Sequence, residues 1–242
     1  MSPRFLISIL TYRVEAGVEK CVESVRRGGC DGLFKLHLTA NGPAAFNAVR
    51  KLRGPDVANV VLNPTNLGFV EPNNRAFQYA SDHGYDFVIL LNDDCTVPHG
   101  WLERIEAEFH RHPGSALVGA SHTCRSLTND LHGYEGGDLE YIDGACLAIR
   151  VSAIERHFKT LFPPYLEFCY GEDSALSLEL RKLGWTIHQA KFQIEHNRGS
   201  TSQHVPRAKE SQKANHAALK KRFGHYFAHR TFSHRILIKR TY

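Results

Sequence analysis

Paired cysteines and long apolar runs are the two features that this sequence most clearly lacks. Its six cysteines are scattered and form no C-x-x-C pair, which argues against a structural zinc site or a disulfide framework and fits a reducing environment. No apolar segment approaches the roughly 18 to 20 residues that a membrane-spanning helix needs. The opening segment, MSPRFLISILTY, has an apolar core too short for a signal peptide. We therefore expect a cytoplasmic protein with no transmembrane segment.

Acidic residues are scarce towards the end of the chain. From residue 201 onwards there are ten lysines and arginines but a single acid, Glu210, so this segment carries a net charge of +9. The whole chain is +5, and residues 1–200 must therefore total −4. A basic tail on an acidic body predicts an anionic partner, which could be nucleic acid, an acidic membrane surface or an anionic glycan. The alternative is that the charges form the solvated face of a helix.

Strand and helix signals alternate along the first 200 residues, and this order predicts an α/β fold with helices flanking a mostly parallel central sheet. We expect one domain over 1–200 and a basic helical extension over 201–242, packed on or beside it. Residues 121–140 break the alternation and predict a loop or hairpin. The predicted strands are 5–11, 34–39, 57–62, 86–92, 116–121, 145–150 and 185–190, and the predicted helices are 15–27, 69–83, 99–111 and 173–183.

The segment DFVILLNDDC at residues 86–95 joins an apolar run to a cluster of polar side chains. Its five uncharged apolar residues are typical of a strand buried on both faces. Asn92, Asp93 and Asp94 then lie at the carboxyl end of that strand, where open α/β sheets bind ligands. Adjacent acids repel each other and lose hydration, so they predict a compensating divalent cation together with phosphate oxygens. The alternative is that both aspartates open a turn and cap the helix that follows.

Polar residues also follow two other predicted strands and precede a predicted helix. The first strand ends in ILTYRVE and the second in HLTANGP, so both place turn-forming residues at the same sheet edge. In NPTNLGFVEPNNRAFQYA, Asn66, Gly68 and Asn74 lie just before and inside a helix start. Free amides at a helix N-terminus favour phosphate groups, and Gly68 permits close backbone approach. The asparagines could equally be helix caps and turn formers.

A carboxylate opens the predicted helix at 173–183. Asp173 shares one helical stripe with Leu176 and Leu180, so it should point inwards, towards the sheet edge, from the first turn. A carboxylate in that position can act as a general base, or it can be an N-terminal cap favoured by the helix dipole. His196 follows the last predicted strand and is either a ligand or a surface histidine.

Taken in order, these motifs resemble those of the inverting glycosyltransferases of family 2, which have the GT-A fold built on a Rossmann-like sheet. The spellings N-x-G-F and LLN-x-D are typical of the rhamnosyltransferase-like members. The resemblance covers residues 4–200 and implies transfer of a hexosyl or pentosyl group from a nucleoside diphosphate donor to an acceptor hydroxyl. It consists of a strand ending in TYR, NLGF followed by NN-A, the LLNDD run, DG before a strand, GED before a helix ending in R-x-x-G-W, and EHNRGS.

The same resemblance implies a role for each motif residue. Asn92, Asp93 and Asp94 occupy the D-x-D position, with Asp94 contacting a divalent cation, Mn²⁺ or Mg²⁺, directly. His196 matches a position that contacts the metal or the diphosphate, and Asp173 matches the catalytic base. The residues that would line the nucleotide pocket, together with Asn92 and Asp93, are Thr11, Tyr12, Glu15, Asn41, Asn66, Gly68 and Asn74.

Two positions depart from the family pattern. After the second strand, Ala40 stands where the family commonly has an aspartate that recognises the base, and its side chain accepts no hydrogen bond. Either Asn41 substitutes for that aspartate or the nucleotide is not the usual uridine. The first D-x-D position is the neutral Asn92, which lowers the negative charge and is expected to weaken metal affinity.

Other functions compete with this interpretation. A nucleotidyltransferase would need a Gly-rich, basic loop after the first strand, and TYRVEAGVEK provides none. A non-catalytic nucleic-acid-binding protein would use the basic C-terminal region as its contact surface, but it would leave Asp173 and the acid cluster without a role. A transferase with an anionic acceptor accounts for both the acid cluster and the basic C-terminal region. The acceptor would be a glycan, a lipid-linked glycan or nucleic acid with a hydroxylated base. The basic region could instead dock on an anionic membrane surface.

Overall fold

Strands and helices alternate in the computed structural model, which describes residues 4–13, 17–29, 33–121, 124–125, 141–196 and 205–227. The strands are β1 (Phe5–Thr11), β2 (Phe34–Ala40), β3 (Val57–Leu62), β4 (Phe87–Asn92), β5 (Cys95–Thr96), β6 (Ser115–Ser121), β7 (Cys124–Arg125), β8 (Tyr141–Ile142), β9 (Cys146–Arg150), β10 (Thr186–Gln193) and β11 (Glu195–His196). The helices are α1 (Val18–Gly28), α2 (Phe46–Lys51), α3 (Val70–Asp82), α4 (Trp101–Arg111), α5 (Val151–Glu155), α6 (Glu172–Lys182) and α7 (Pro206–Phe227).

Seven of the strands form one twisted sheet in the order β10-β6-β9-β4-β1-β2-β3. The pairings β1–β2, β1–β4, β2–β3 and β6–β10 are parallel, whereas β9 is antiparallel to both of its neighbours, β4 and β6. The predicted mostly parallel sheet flanked by helices is therefore confirmed. Two short antiparallel ladders, β5–β11 and β7–β8, lie outside it.

The central strand β4 is apolar throughout because both faces of the sheet are covered. Phe87, Ile89 and Leu91 pack into a core shared with α1 and α4, while Val88 and Leu90 face a second core shared with α3 and α6. The run that identified this strand in the sequence thus reflects burial on two sides.

Helix α7 covers part of the second core and bends at Phe223, whose φ of −121° is not helical. Leu219 and Phe223 are buried in that core. The basic extension predicted over 201–242 is therefore helical over Pro206–Phe227, and its last residues lie outside the described chain. No helix within the described ranges is long and apolar enough to cross a membrane.

The remaining differences from the predicted elements concern short segments. Helices α2 and α5 have six and five residues, too few for a helical period to emerge in the sequence. The segment predicted as a loop or hairpin at 121–140 has its two ends paired through β7 and β8, and the residues between them lie outside the described chain.

Candidate active site

A cavity of about 450 Å³ opens at the carboxyl ends of β1 and β4. Tyr12 follows β1, and Asn92, Asp93 and Asp94 follow the buried run of β4, so the strand ends place all four side chains on its wall. This is the edge at which open α/β sheets bind ligands, and the volume is that of a small-molecule site.

Five carboxylic acids line this cavity, and the charge is unbalanced. Among the described residues on its wall there is no lysine or arginine, and His196 is the one imidazole. Crowded, poorly hydrated carboxylates repel one another, so the cavity favours a cationic ligand. The five acids are Asp93, Asp94, Asp143, Glu172 and Asp173.

His196 reaches the aspartates through a two-residue strand. In the β5–β11 ladder His196 is opposite Cys95, which brings its Nε2 to 3.2 Å from Asp94 Oδ1. The Asn92 amide nitrogen lies 3.4 Å from the same Nε2. Asp94, Cys95 and His196 each place a possible ligand atom within 4.8 Å of the others, but burial raises the pKa of the Cys95 thiol. The donor set is therefore a carboxylate and an imidazole.

Asp93 lies deeper, and its charge is poorly compensated. The residue is 7% exposed, and its Oδ2 has no hydrogen-bond partner among the described residues. Burial raises the pKa of Asp93 to about 7, although a hydrogen bond with Thr11 opposes the shift. A poorly compensated carboxylate beside Asp94 and His196 fits a divalent cation that accepts oxygen and nitrogen ligands, such as Mn²⁺ or Mg²⁺.

Asp173 lines the same cavity from the first turn of α6. Its Oδ2 accepts a hydrogen bond from the Gly144 amide at 3.1 Å, and its Oδ1 accepts one from the Ser174 amide at 2.7 Å. These bonds fix the carboxylate towards the cavity. Burial, with a further contribution from the charge of Asp143, raises the pKa of Asp173 to about 6. A carboxylate with such a pKa is ionised at neutral pH and still able to accept a proton.

Glu172 is a site residue that the sequence interpretation did not single out. Its side chain is buried, its Oε2 has no partner among the described residues, and it lines the same cavity. Burial, followed by the charge of Asp173, raises the pKa of Glu172 to about 8. The sequence signal was the adjacent acid pair of GED, in which one residue alone was assigned a role.

A network of asparagine amides also lines the cavity. The Asn41 amide nitrogen donates to Asn66 Oδ1 at 2.9 Å and to the Gly68 carbonyl at 2.8 Å. Asn41 Oδ1 accepts from Asn63 Nδ2 at 3.1 Å and from the Leu67 amide at 3.0 Å. With both amide hydrogens and its oxygen used internally, Asn41 shapes the Asn66–Gly68 turn.

Gly68 allows two segments of the wall to meet. Its φ is +78°, and a Cβ at this position would lie 2.3 Å from the Phe168 carbonyl oxygen. Gly68 thus permits a close approach by the chain's own segment around Phe168, and its predicted approach to a phosphate stays a prediction.

The predicted site residues fall into three groups. Two of them do not line the cavity: Thr11 is fully buried beneath it and bonds to Asp93, and Asn74 turns away and accepts a bond from the Phe162 amide at 2.8 Å. Glu15 lies outside the described residues. Those that the structure brings together on the cavity wall are Tyr12, Asn41, Asn66, Gly68, Asn92, Asp93, Asp94, Asp173 and His196.

Solved structures of similar fold include a mannosyltransferase and two proteins that contain UDP-GlcNAc or UDP. Mannosyltransferase PcManGT from Pyrobaculum calidifontis, in complex with GDP-Man and Mn²⁺, has a TM-score of 0.64 at 15% identity, covering 100% of this chain and 73% of its own. TarS 1-349 from S. aureus, in complex with UDP-GlcNAc, has a TM-score of 0.57 at 15% identity over 81% of this chain and 61% of its own. GalNAc-T7 with UDP, GalNAc and Mn²⁺ has a TM-score of 0.63 at 12% identity over 90% of this chain and 48% of its own.

These likenesses show a shared GT-A fold. The chain covers 35% of the TarS chain and 61% of TarS 1-349, less than two thirds of each. No curated protein matches the sequence.

The sequence itself also matches a family model. Glycosyl transferase family 2 is matched over residues 7–158, more than half of the 242 residues. The matched range begins within β1, contains β2 to β4, the Asn92-Asp93-Asp94 cluster and Asp143, and ends before Asp173. The match disfavours the alternative of a non-catalytic nucleic-acid-binding protein. The chain belongs to glycosyl transferase family 2.

Proposed function

We propose that the protein is a metal-dependent, inverting glycosyltransferase that moves a sugar from a nucleoside diphosphate donor to an acceptor hydroxyl. The observation that carries the proposal is that one cavity contains both a candidate metal site and a candidate base. Asp93, Asp94 and His196 cluster after β4 and favour a cation, while Asp173 lines the same cavity from α6, with its carboxylate held by the Gly144 amide. Displacement at a sugar carbon needs a group that stabilises the leaving diphosphate and a group that deprotonates the attacking hydroxyl.

Asp94 and His196 are the residues that would hold the metal, with Asp93 adding charge behind them. A bound divalent cation supplies Lewis acidity that neutralises charge developing on the leaving diphosphate. The solved neighbours PcManGT and GalNAc-T7 contain Mn²⁺, which supports the proposal. PcManGT is bound to GDP-Man and GalNAc-T7 to UDP, so the nucleotide used by this chain is left to experiment.

Asp173 is the proposed catalytic base. The acceptor hydroxyl loses its proton to the Asp173 carboxylate as its oxygen attacks the anomeric carbon, and the bond to the diphosphate oxygen breaks with its electron pair. A single displacement from the opposite face inverts the anomeric centre and requires no covalent intermediate on the protein. The Gly144 and Ser174 amides keep both carboxylate oxygens oriented during the transfer.

Tyr12, Asn66 and Gly68 form the wall that we assign to the nucleotide. Tyr12 follows β1, and Asn66 and Gly68 precede α3; all three line the same cavity as Asp93 and Asp94. The phenol ring of Tyr12 offers a stacking surface to a base. Asn41 supports this wall through its hydrogen bonds to Asn66 and Gly68. We therefore assign it a positioning role and not direct recognition of the base.

An anionic acceptor is the second part of the proposal. Val205 and Ala208 of the α7 region line the cavity, and the exposed Arg207 between them places its guanidinium carbon 4.6 Å from the centre of the Phe168 ring. This cation lies at the rim of a cavity whose lining is acidic. A glycan or lipid-linked glycan bearing negative charge would meet Arg207 as it enters.

A donor-binding panel tests the proposed function. Thermal shift is measured with nucleoside diphosphate sugars, with and without Mn²⁺, on the wild type, on Asp94→Asn and on a control, Asp82→Asn. Asp82 lies on α3 and accepts a hydrogen bond from Gln78 at the surface. We expect metal-dependent stabilisation by one donor class in the wild type and the control, and its loss in Asp94→Asn. Equal stabilisation with and without metal would contradict the proposal.

A further inference from the structure

One side chain of α7 holds a cavity segment by its backbone. The Asn215 amide nitrogen donates to the carbonyls of Glu167 (2.8 Å), Cys169 (3.1 Å) and Tyr170 (2.8 Å), and its oxygen accepts from the Glu167 amide at 2.9 Å. Asn215 is 1% exposed. Ser211, one turn earlier, donates to the Cys169 carbonyl at 3.0 Å. The segment from Glu167 to Tyr170 is therefore bonded to a single helix face.

The same segment has an unusual backbone. Phe168 and Tyr170 have φ values of +50° and +72°, and neither is a glycine. Left-handed conformations of large residues are unfavourable and persist only where the surroundings fix them. The bonds from Asn215 reach carbonyls on both sides of these two residues, which identifies it as the group that fixes them.

This segment connects two walls of the cavity. The Phe168 carbonyl accepts hydrogen bonds from the Phe69 amide at 2.5 Å and the Val70 amide at 3.0 Å, at the start of α3, and it lies against Gly68. In the other direction the segment leads through Gly171 into the first turn of α6, which carries Asp173. The side chain of Leu219 packs on Gly171 from α7.

We propose that Asn215 is a positioning residue for the transfer reaction. It holds residues 167–171 so that the nucleotide wall at Gly68 and the base at Asp173 keep a fixed separation. Asn215 lies well beyond the family match, which ends at residue 158, so α7 completes the catalytic unit of this chain. The inference rests on the proposed function for its kinetic part and on the contacts alone for its structural part.

Hydrogen exchange of the metal-free protein tests the structural part. Asn215→Asp keeps the shape of the side chain but turns oxygen lone pairs towards the three carbonyls, so it separates hydrogen bonding from packing. The control is Arg222→Gln, which loses the ion pair with Glu179 and so weakens the docking of α7 on α6. We expect Asn215→Asp and Asn215→Ala to speed amide exchange at least about tenfold in peptides covering 167–171 and 66–70. Arg222→Gln should speed exchange in α7 and leave 66–70 unchanged. Unchanged exchange at 66–70 in both Asn215 variants would overturn the inference.

Kinetics tests the catalytic part, at a temperature where circular dichroism shows all variants folded. We expect Asn215→Ala to lower kcat by about 10- to 100-fold even at saturating donor and acceptor, because Asp173 stays misplaced. Arg222→Gln should stay within about threefold of the wild type. A normal kcat in Asn215→Ala would overturn the positioning role. Absence of metal-dependent donor binding in the wild type would instead refute the proposed function, and the exchange experiment would still decide whether Asn215 couples the walls.

Discussion

Single residues in the cavity depart from their ordinary acidity because the fold buries them together. Burial is the largest cause of the raised pKa of Asp93, Glu172 and Asp173, and neighbouring acids add to it. Hydrogen bonds from backbone amides oppose the shift at Asp173. Three carboxyls of one cavity therefore titrate between mildly acidic and mildly basic pH, which makes pH a direct probe of their roles.

The pH dependence of transfer follows from Asp173. Only the ionised carboxylate accepts a proton, and its raised pKa of about 6 means that it becomes protonated as the pH falls through that value. We expect kcat/KM, measured with saturating Mn²⁺, to be half-maximal near pH 6, to fall towards a tenfold loss per pH unit well below it, and to level off about one unit above it. A rate that stays constant down to pH 4.5 would contradict the assignment of Asp173 as the base.

Glu172 should destabilise the metal-free protein at alkaline pH. Its folded pKa of about 8 lies above the ordinary 4.5, so the folded state retains a proton that the unfolded chain releases, and stability is lost as the pH rises from 4.5 towards 8. Glu172→Gln cannot ionise. We expect urea unfolding to show equal stability of the two proteins at pH 4.5 and an advantage of more than about 1 kcal/mol for the variant at pH 8.5. An advantage of the same size at both pH values would show that ionisation is not its cause.

At the scale of elements, the periodicity of apolar residues was sufficient to predict the long strands and helices. The strands Phe5–Thr11 and Val57–Leu62 have the predicted bounds, and Asp173 points into the cavity from the first turn of its helix as its stripe indicated. The two-residue ladder that brings His196 to Asp94 has no periodicity to detect. The contacts of Asn215 with a segment more than 40 residues away likewise leave no local signal, because they depend on tertiary packing.

The turn before α3 provides a prediction at this scale. Gly68→Ala should be strongly destabilising, because the new Cβ would meet the Phe168 carbonyl oxygen at 2.3 Å in addition to the strain of a positive φ. The control, Gly100→Ala, carries the same strain at φ +72° with nothing within 4 Å of its Cβ. We expect denaturant unfolding to show a loss of about 1 kcal/mol for Gly100→Ala and at least about 2 kcal/mol more for Gly68→Ala. Equal losses would show that the two segments do not meet as described.

Across the whole molecule, charge is separated between an acidic cavity and a basic C-terminal region. Residues from 201 onwards carry +9, against −4 for the rest, and helix α7 brings part of that charge to the cavity rim. The composition predicted an anionic partner, but it gave no location for the contact. Helix α7 packs beside the cavity and contributes to its wall. This packing supports a role for the basic region in binding the acceptor, in contrast to a tail that is detached from the site.

Salt and Arg207 together test that role. With an anionic acceptor, KM for the acceptor should rise several-fold between about 0.05 and 0.2 M salt, since screening weakens exposed charge pairs, and Arg207→Gln should raise it further at low salt. The control is Arg50→Gln, which removes an exposed arginine that also lies over a phenylalanine ring, 5.6 Å from Phe46, away from the cavity. An acceptor KM that is independent of salt and of Arg207 would contradict electrostatic recognition at this rim.

The most direct test of the central claim compares binding with transfer in one variant. Asp173→Asn keeps the size of the side chain and leaves Asp94 and His196 untouched, so the donor should still bind with Mn²⁺ as it does to the wild type. Transfer should fall by about 10²- to 10⁴-fold, since the variant lacks the proton acceptor, and the wild-type product should show an inverted anomeric configuration by NMR. Transfer at the wild-type rate by Asp173→Asn, or a product that retains the donor's configuration, would contradict the account.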